Sequence, residues 1–126
     1  MNVASLSLCK DLYQRSGWKG TDYFYQFIEY SDLSTGYYLI NPVLETPLHA
    51  NAYPAYDLGF LLRRLPRQAW QKDFYLLVSD SEWVAGYDSK HPTGLPRSAF
   101  ADTPEDAACK LCVELFKQGI LKKSGQ

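Results

Sequence analysis

Cys109-x-x-Cys112 has the spacing of a redox dithiol. That chemistry places the first thiol at a helix N-terminus, where the dipole favours thiolate. Both thiols here lie further into a helical pattern, so they read as small buried apolar residues. A zinc site would need two more ligands, and His49 and His91 stand apart in separate loops. His91, in Lys90-His91-Pro92-Thr93-Gly94, has no Ser or Cys nucleophile paired with it in a recognised pattern. Asp80, Glu82 and Asp88 surround one hairpin and could bind a metal or do acid–base work. Three acids around a hairpin are more commonly plain solvation. GxGxxG, Walker, HExxH and GxSxG motifs are absent. The sequence therefore leads us to expect no catalytic residue, no metal and no cofactor.

Binding residues are easier to find. Arg63, Arg64, Arg67 and Lys72, with Trp70 among them, form the one basic cluster. Cations interleaved with an aromatic ring suit phosphates and a stacked base. Arg63 and Arg64 also sit where a helix would end, a place cations favour regardless of any ligand. Tyrosines carry the stronger signal. Tyr23-Phe24-Tyr25 in a strand puts aromatic rings on both faces, and Tyr37-Tyr38 does the same. One face packs on helices and the other must meet something. Tyr is favoured at interfaces because it buries large area and keeps a polar handle. Tyr25, Tyr37 and Tyr38 are the candidate protein-binding residues, and the loop over residues 88–101 is a second candidate surface.

The elements that must position these groups are organised around a C-terminal helix. Thr103 is its N-cap, Pro104 its first residue, and Thr103-x-x-Asp106 has capping-box spacing. Gly119 fits the left-handed position after its end, with Ile120 folding back on Leu115. Ala108, Leu111, Cys112, Leu115 and Phe116 make its apolar face. A first helix spans residues 5–16, capped by Asn2 or Ser5 and stopped by Gly17, after which Trp18 folds over the core. Strands follow at 23–30 and 37–40, then an irregular stretch at 42–54 punctuated by prolines. Asp57 caps a short helix over 58–65, ended by Pro66. Strands at 74–79 and 82–87 turn through Ser79-Asp80-Ser81, and a polar loop over 88–101 leads to the last helix. The order is α-β-β-α-β-β-α. We expect an α+β fold, with an antiparallel four-stranded sheet and three helices packed on one face.

A length of 126 residues suits one domain, residues 1–126. The net charge of -1 argues against a global field for nucleic acid or anionic lipid. Basic side chains concentrate in residues 63–126, which carry ten of them against three in residues 1–62. No run of 18 apolar residues is present, so neither a transmembrane helix nor a membrane partner is expected. The first residues lack a signal-peptide pattern, and an odd count of 3 Cys suits free thiols in a reducing cytoplasm.

Three segments together carry a resemblance. They are Leu12-Tyr13-x-x-Ser16-Gly17-Trp18, the run from Pro54-Ala55-Tyr56-Asp57 to Arg64-Leu65-Pro66, and Ala101-Asp102-Thr103-Pro104-Glu105-Asp106-Ala107. In combination the chain resembles small accessory proteins encoded by bacteriophages and prophages. The resemblance supplies no catalytic residue. It implies a cytoplasmic protein of a bacterial host that acts on host machinery or defence. The expectation is thus a non-enzymatic module that binds a host protein. Nucleic-acid binding through the Arg63–Lys72 cluster is the alternative, and self-association through an aromatic sheet face also stays open.

Overall fold

The computed structural model describes residues 2–29, 35–40, 52–87 and 97–123. Among the described residues the chain forms three helices and eight strands. Helix α1 (Leu6–Ser16) starts at Ser5 and ends at Gly17, whose φ of 68° supplies the left-handed cap. Strands β1 (Tyr23–Glu29), β2 (Thr35–Ile40) and β3 (Ala52–Ala55) form one antiparallel sheet in the order β2-β1-β3. Helix α2 (Leu58–Arg64) is capped by Asp57, whose carboxylate accepts from the Phe60 N–H at 2.7 Å. A minimal hairpin, β4 (Gln68–Ala69) and β5 (Lys72–Asp73), comes next. Strands β6 (Tyr75–Ser79), β7 (Glu82–Gly86) and β8 (Ser98–Ala101) form the second three-stranded antiparallel sheet, and helix α3 (Pro104–Lys117) closes the chain.

The α+β class and the three helices agree with the sequence, but the single four-stranded sheet does not. The two long hairpins do not pair with each other. Each instead recruits a third strand from a stretch that reads as loop. Strand β3 contains Pro54, which is tolerated because β3 lies at the sheet edge. Strand β8 is Ser-Ala-Phe-Ala, weak in β-propensity, but its small residues let the strand approach α3 closely. Ala99 and Ala101 are buried against that helix layer, together with Ala107 and Ala108. The helices are likewise shared between sheets rather than stacked on one face: α1 packs on β3, while α3 packs on β7 and β8.

Helix α3 is the hub, touching α1, α2, β7 and β8. Leu111 and Leu115 on α3 meet Leu12 of α1 and Leu61 of α2, all with no exposed surface. Truncating such a leucine to Ala costs about 2–5 kcal/mol, a large share of a domain's stability. Trp18 covers this core edge-on to Phe116, with centroids 5.2 Å apart. The far end of α3 is a full Schellman motif. The Ile120 N–H donates to Leu115 O at 2.9 Å, the Gly119 N–H donates to Phe116 O at 3.2 Å, and Gly119 has φ 79°.

The N-terminal cap of α3 is shared between helices. Thr103 Oγ1 accepts from the Asp106 N–H at 3.1 Å, which is half of a capping box. The Asp106 carboxylate does not return to its own helix. Its Oδ1 accepts the Ser5 N–H at 2.7 Å and so stands at the start of α1 as well. Ser5 makes no side-chain cap bond of its own. One carboxylate therefore serves two positive helix ends. Among the described residues no helix is long and apolar enough to cross a membrane.

Candidate ligand cleft and interaction surfaces

The three candidate tyrosines do not share a surface. The register pairs Tyr25 with Leu39 and with Tyr53, and Phe27 with Tyr37, so these side chains lie on the face of the first sheet that meets α1. There Tyr37 and Tyr53 stand 6.0 Å apart, Tyr13 of α1 meets Tyr53 edge-on at 6.3 Å, and the Lys10 ammonium lies 4.6 Å from the Tyr37 centroid. Tyr25 donates its hydroxyl to Ala4 O at 2.8 Å, and burial pushes its phenol up to about 12. Tyr38 alone of the three points to the opposite face, level with Gln26, and is 38% exposed.

The basic cluster is also divided. The Arg64 guanidinium lies 4.4 Å from the Phe60 ring centroid and 5.8 Å from that of Trp18, so it caps the aromatic core. Arg63, Arg67 and Lys72 are exposed. Trp70 sits in the β4–β5 turn at φ 52°, in the left-handed region. Its ring packs on the core, 5.9 Å from Tyr87, with the Arg97 guanidinium 5.0 Å from its centroid. A stacking base would have to compete with that guanidinium.

The remaining chemical candidates are quiet. Cys9, Cys109 and Cys112 are buried free thiols. Burial raises Cys9 and Cys112 to about 12 and Cys109 well above its ordinary value, so none is a nucleophile near neutrality. Cys109 Sγ–H donates to Leu8 O at 3.6 Å, and Cys9 Sγ accepts the Tyr56 N–H at 3.5 Å. The Cys109-x-x-Cys112 spacing is thus a product of helical packing. Asp80 occupies the β6–β7 turn at φ 52°, and Glu82 is exposed beside it. No cluster of three or more metal-ligating side chains occurs among the described residues. His49, His91, Asp88 and residues 88–96 of the candidate loop lie outside the described residues, and the loop's last residues are β8.

Two features were missed by sequence reasoning. The first is a lateral row on the outer face of the second sheet. Leu77, Val84 and Phe100 are in direct register across β6, β7 and β8. Leu77 is 44% exposed and Phe100 50%, with Val84 buried between them. Alternation within β6 carries a hint, but the residues of β8 read as loop. The second is a cleft of about 570 Å³ where the two sheets and the start of α3 converge. Tyr25 and Leu39 of the first sheet, Trp83 of the second, Val3, and Asp102 to Glu105 line it. Glu105 is only 8% exposed. It makes no hydrogen bond or ion pair with a described residue. No single stretch of sequence supplies this site, because its walls come from five separate segments.

No family model, curated protein or solved structure matches the chain.

Proposed function

We propose that the protein acts by binding another protein rather than by catalysis, and that the outer face of the second sheet makes the contact. The observation that carries this reading is the row of Leu77, Val84 and Phe100. It sets two half-exposed large apolar side chains on either side of Val84 across a three-stranded sheet. Exposed apolar surface organised in this way is what partner surfaces cover. The neutral buried thiols add support, because they remove the most reactive groups of the chain from solvent. The setting we propose with it is the bacterial cytoplasm, with a host protein as partner.

The test is a tagged pull-down from bacterial lysate with nuclease, comparing the native chain with the Leu77→Ser/Phe100→Ser double variant. Circular dichroism and melting temperature establish that the variant is folded. The reading expects a defined protein retained by the native chain and lost by the variant. Equal retention by both would remove this face. Loss of all partners on nuclease treatment would transfer the proposal to Arg63, Arg67 and Lys72, with affinity falling steeply in salt.

A further inference from the structure

We propose that the free edge of β8 is a strand-addition site, which takes an extended segment of the partner protein carrying an acidic side chain. This inference rests on the protein-binding reading above and lengthens the same sheet by one strand.

The register decides which way the main chain of β8 faces. The Tyr87 N–H donates to Arg97 O at 3.0 Å, and that pair continues the β7–β8 register by one step. Hydrogen-bonded and open pairs alternate along an antiparallel ladder. Ala99 and Ala101 therefore bond to β7, whereas Ser98 and Phe100 turn their N–H and C=O groups away from it. Lys110 of α3 agrees with that orientation, because its ammonium donates to Phe100 O at 3.0 Å. Strand β8 is the last in its sheet. Among the described residues the Ser98 N–H, the Ser98 C=O and the Phe100 N–H meet no further strand on that side.

Space for such a strand lies beside the edge. A groove of about 280 Å³ is bounded by Ser98 to Phe100 on one side and by α1 and α3 on the other. Leu8 and Val113 give it apolar walls. Its charged groups are Asp11, Lys110, Glu114 and Lys117. Asp11 is paired with Arg15 at 2.7 Å and Glu114 with Lys117 at 3.7 Å. Lys110 remains as the cation of the groove without a carboxylate among the described residues.

These features select the occupant. Outward N–H and C=O groups on alternate residues match an extended backbone, and a helix has no main-chain groups to spare for them. The side chains of an added strand alternate. One set would continue the row of Leu77, Val84 and Phe100, and the other would enter the groove, where an acidic group meets Lys110. A second copy of this chain fits less well, because pairing β8 with itself brings two uncompensated Lys110 cations to one short ladder.

Selection from a displayed library of random heptapeptides, on the intact native chain, tests the proposal. The expected result is enrichment of peptides with apolar residues at alternate positions and an acidic residue between them. A synthetic peptide of the enriched sequence should slow hydrogen exchange at the Ser98 and Phe100 amides, while Ala99 and Ala101, already bonded to β7, change little. Ser98→Pro removes one outward N–H but keeps the β7 ladder and the apolar row, and should weaken the peptide about tenfold or more. Lys110→Glu should weaken it about tenfold. Melting temperatures of both variants verify folding. Absence of enrichment, enriched peptides of helical periodicity, or unchanged affinity in folded Ser98→Pro would each overturn the proposal. A native dimer in sedimentation that Ser98→Pro makes monomeric would overturn it as well, by assigning the edge to a second copy. A lysate partner lost by Leu77→Ser/Phe100→Ser but kept by Ser98→Pro would refute the edge and leave the outer face standing.

Discussion

Replacing Asp106 by Ala should cost this protein more than any other single change on its surface turns. Asp106 Oδ1 accepts the Ser5 N–H at 2.7 Å in a partly buried site. A hydrogen bond to a charged acceptor contributes about 1.5–3 kcal/mol. The same carboxylate stands at two helix N-termini, and each such interaction is worth about 0.3–1 kcal/mol. A total loss of about 2.5 kcal/mol is a fair central figure. For a chain of 126 residues, 1 kcal/mol shifts the melting temperature by about 4 °C, so the expected drop is about 10 °C. Asp106→Asn keeps an acceptor oxygen and loses only the charge, so it should fall about halfway. Thr103→Ala serves as the comparison, because it removes the side-chain cap of α3 alone and should cost about 1 kcal/mol. Differential scanning calorimetry on the four proteins reads these values directly. The reasoning fails if Asp106→Ala melts within about 2 °C of the native chain, or no lower than Thr103→Ala.

Two further outcomes follow from other parts of the fold. At Gly86 an added Cβ would lie 2.7 Å from Ser98 Cα and 2.8 Å from Arg97 O, both backbone atoms, so Gly86→Ala must push β8 away from β7. It should lose about 1–3 kcal/mol in urea denaturation, and a midpoint equal to the native one would show that the strands yield freely. The thiols set the alkaline limit. Cys9 and Cys112 titrate near 12 when folded, against an ordinary value of 9.0, so the folded state keeps protons that the unfolded chain releases. Stability should hold below about pH 8 and fall as pH climbs toward 12, by up to about 1.4 kcal/mol per pH unit for each thiol. Urea midpoints from neutral to about pH 10.5 measure this, and a flat profile would contradict the burial of these groups.

The helices were legible because their signals are local. Thr103 with Pro104, Asp57, and the two glycines 17 and 119 each act within a few residues, and all four ends fall where the sequence places them. Strands β3 and β8 were not legible. Their own residues argue for loops, and they are strands because β1 and β7 offer them an edge and α3 accepts only small side chains nearby. The division of the tyrosines could have been read in advance. Tyr37 and Tyr38 are adjacent in one strand, so alternation must send them to opposite faces. Trp70 misled for a different reason. Its place among four cations suggested a stacking platform, whereas the tight β4–β5 turn directs the ring onto Tyr87. The cleft had no sequence signature at all, since Val3, Tyr25, Leu39, Trp83 and Glu105 meet only after the chain has folded.

The bond from Ser5 to Asp106 also bears on how the protein is made. It spans 101 positions of sequence, and α1 packs on α3 along its length. During synthesis α1 leaves the ribosome before α3, so the surface that buries Cys9 and Leu12 emerges only after both sheets have been made. The second sheet must therefore wait, with one apolar face uncovered, until α3 docks on β7 and β8. A nascent chain stalled before Thr103 should expose that surface to chaperones, and release of the remaining residues should complete the fold in a single step.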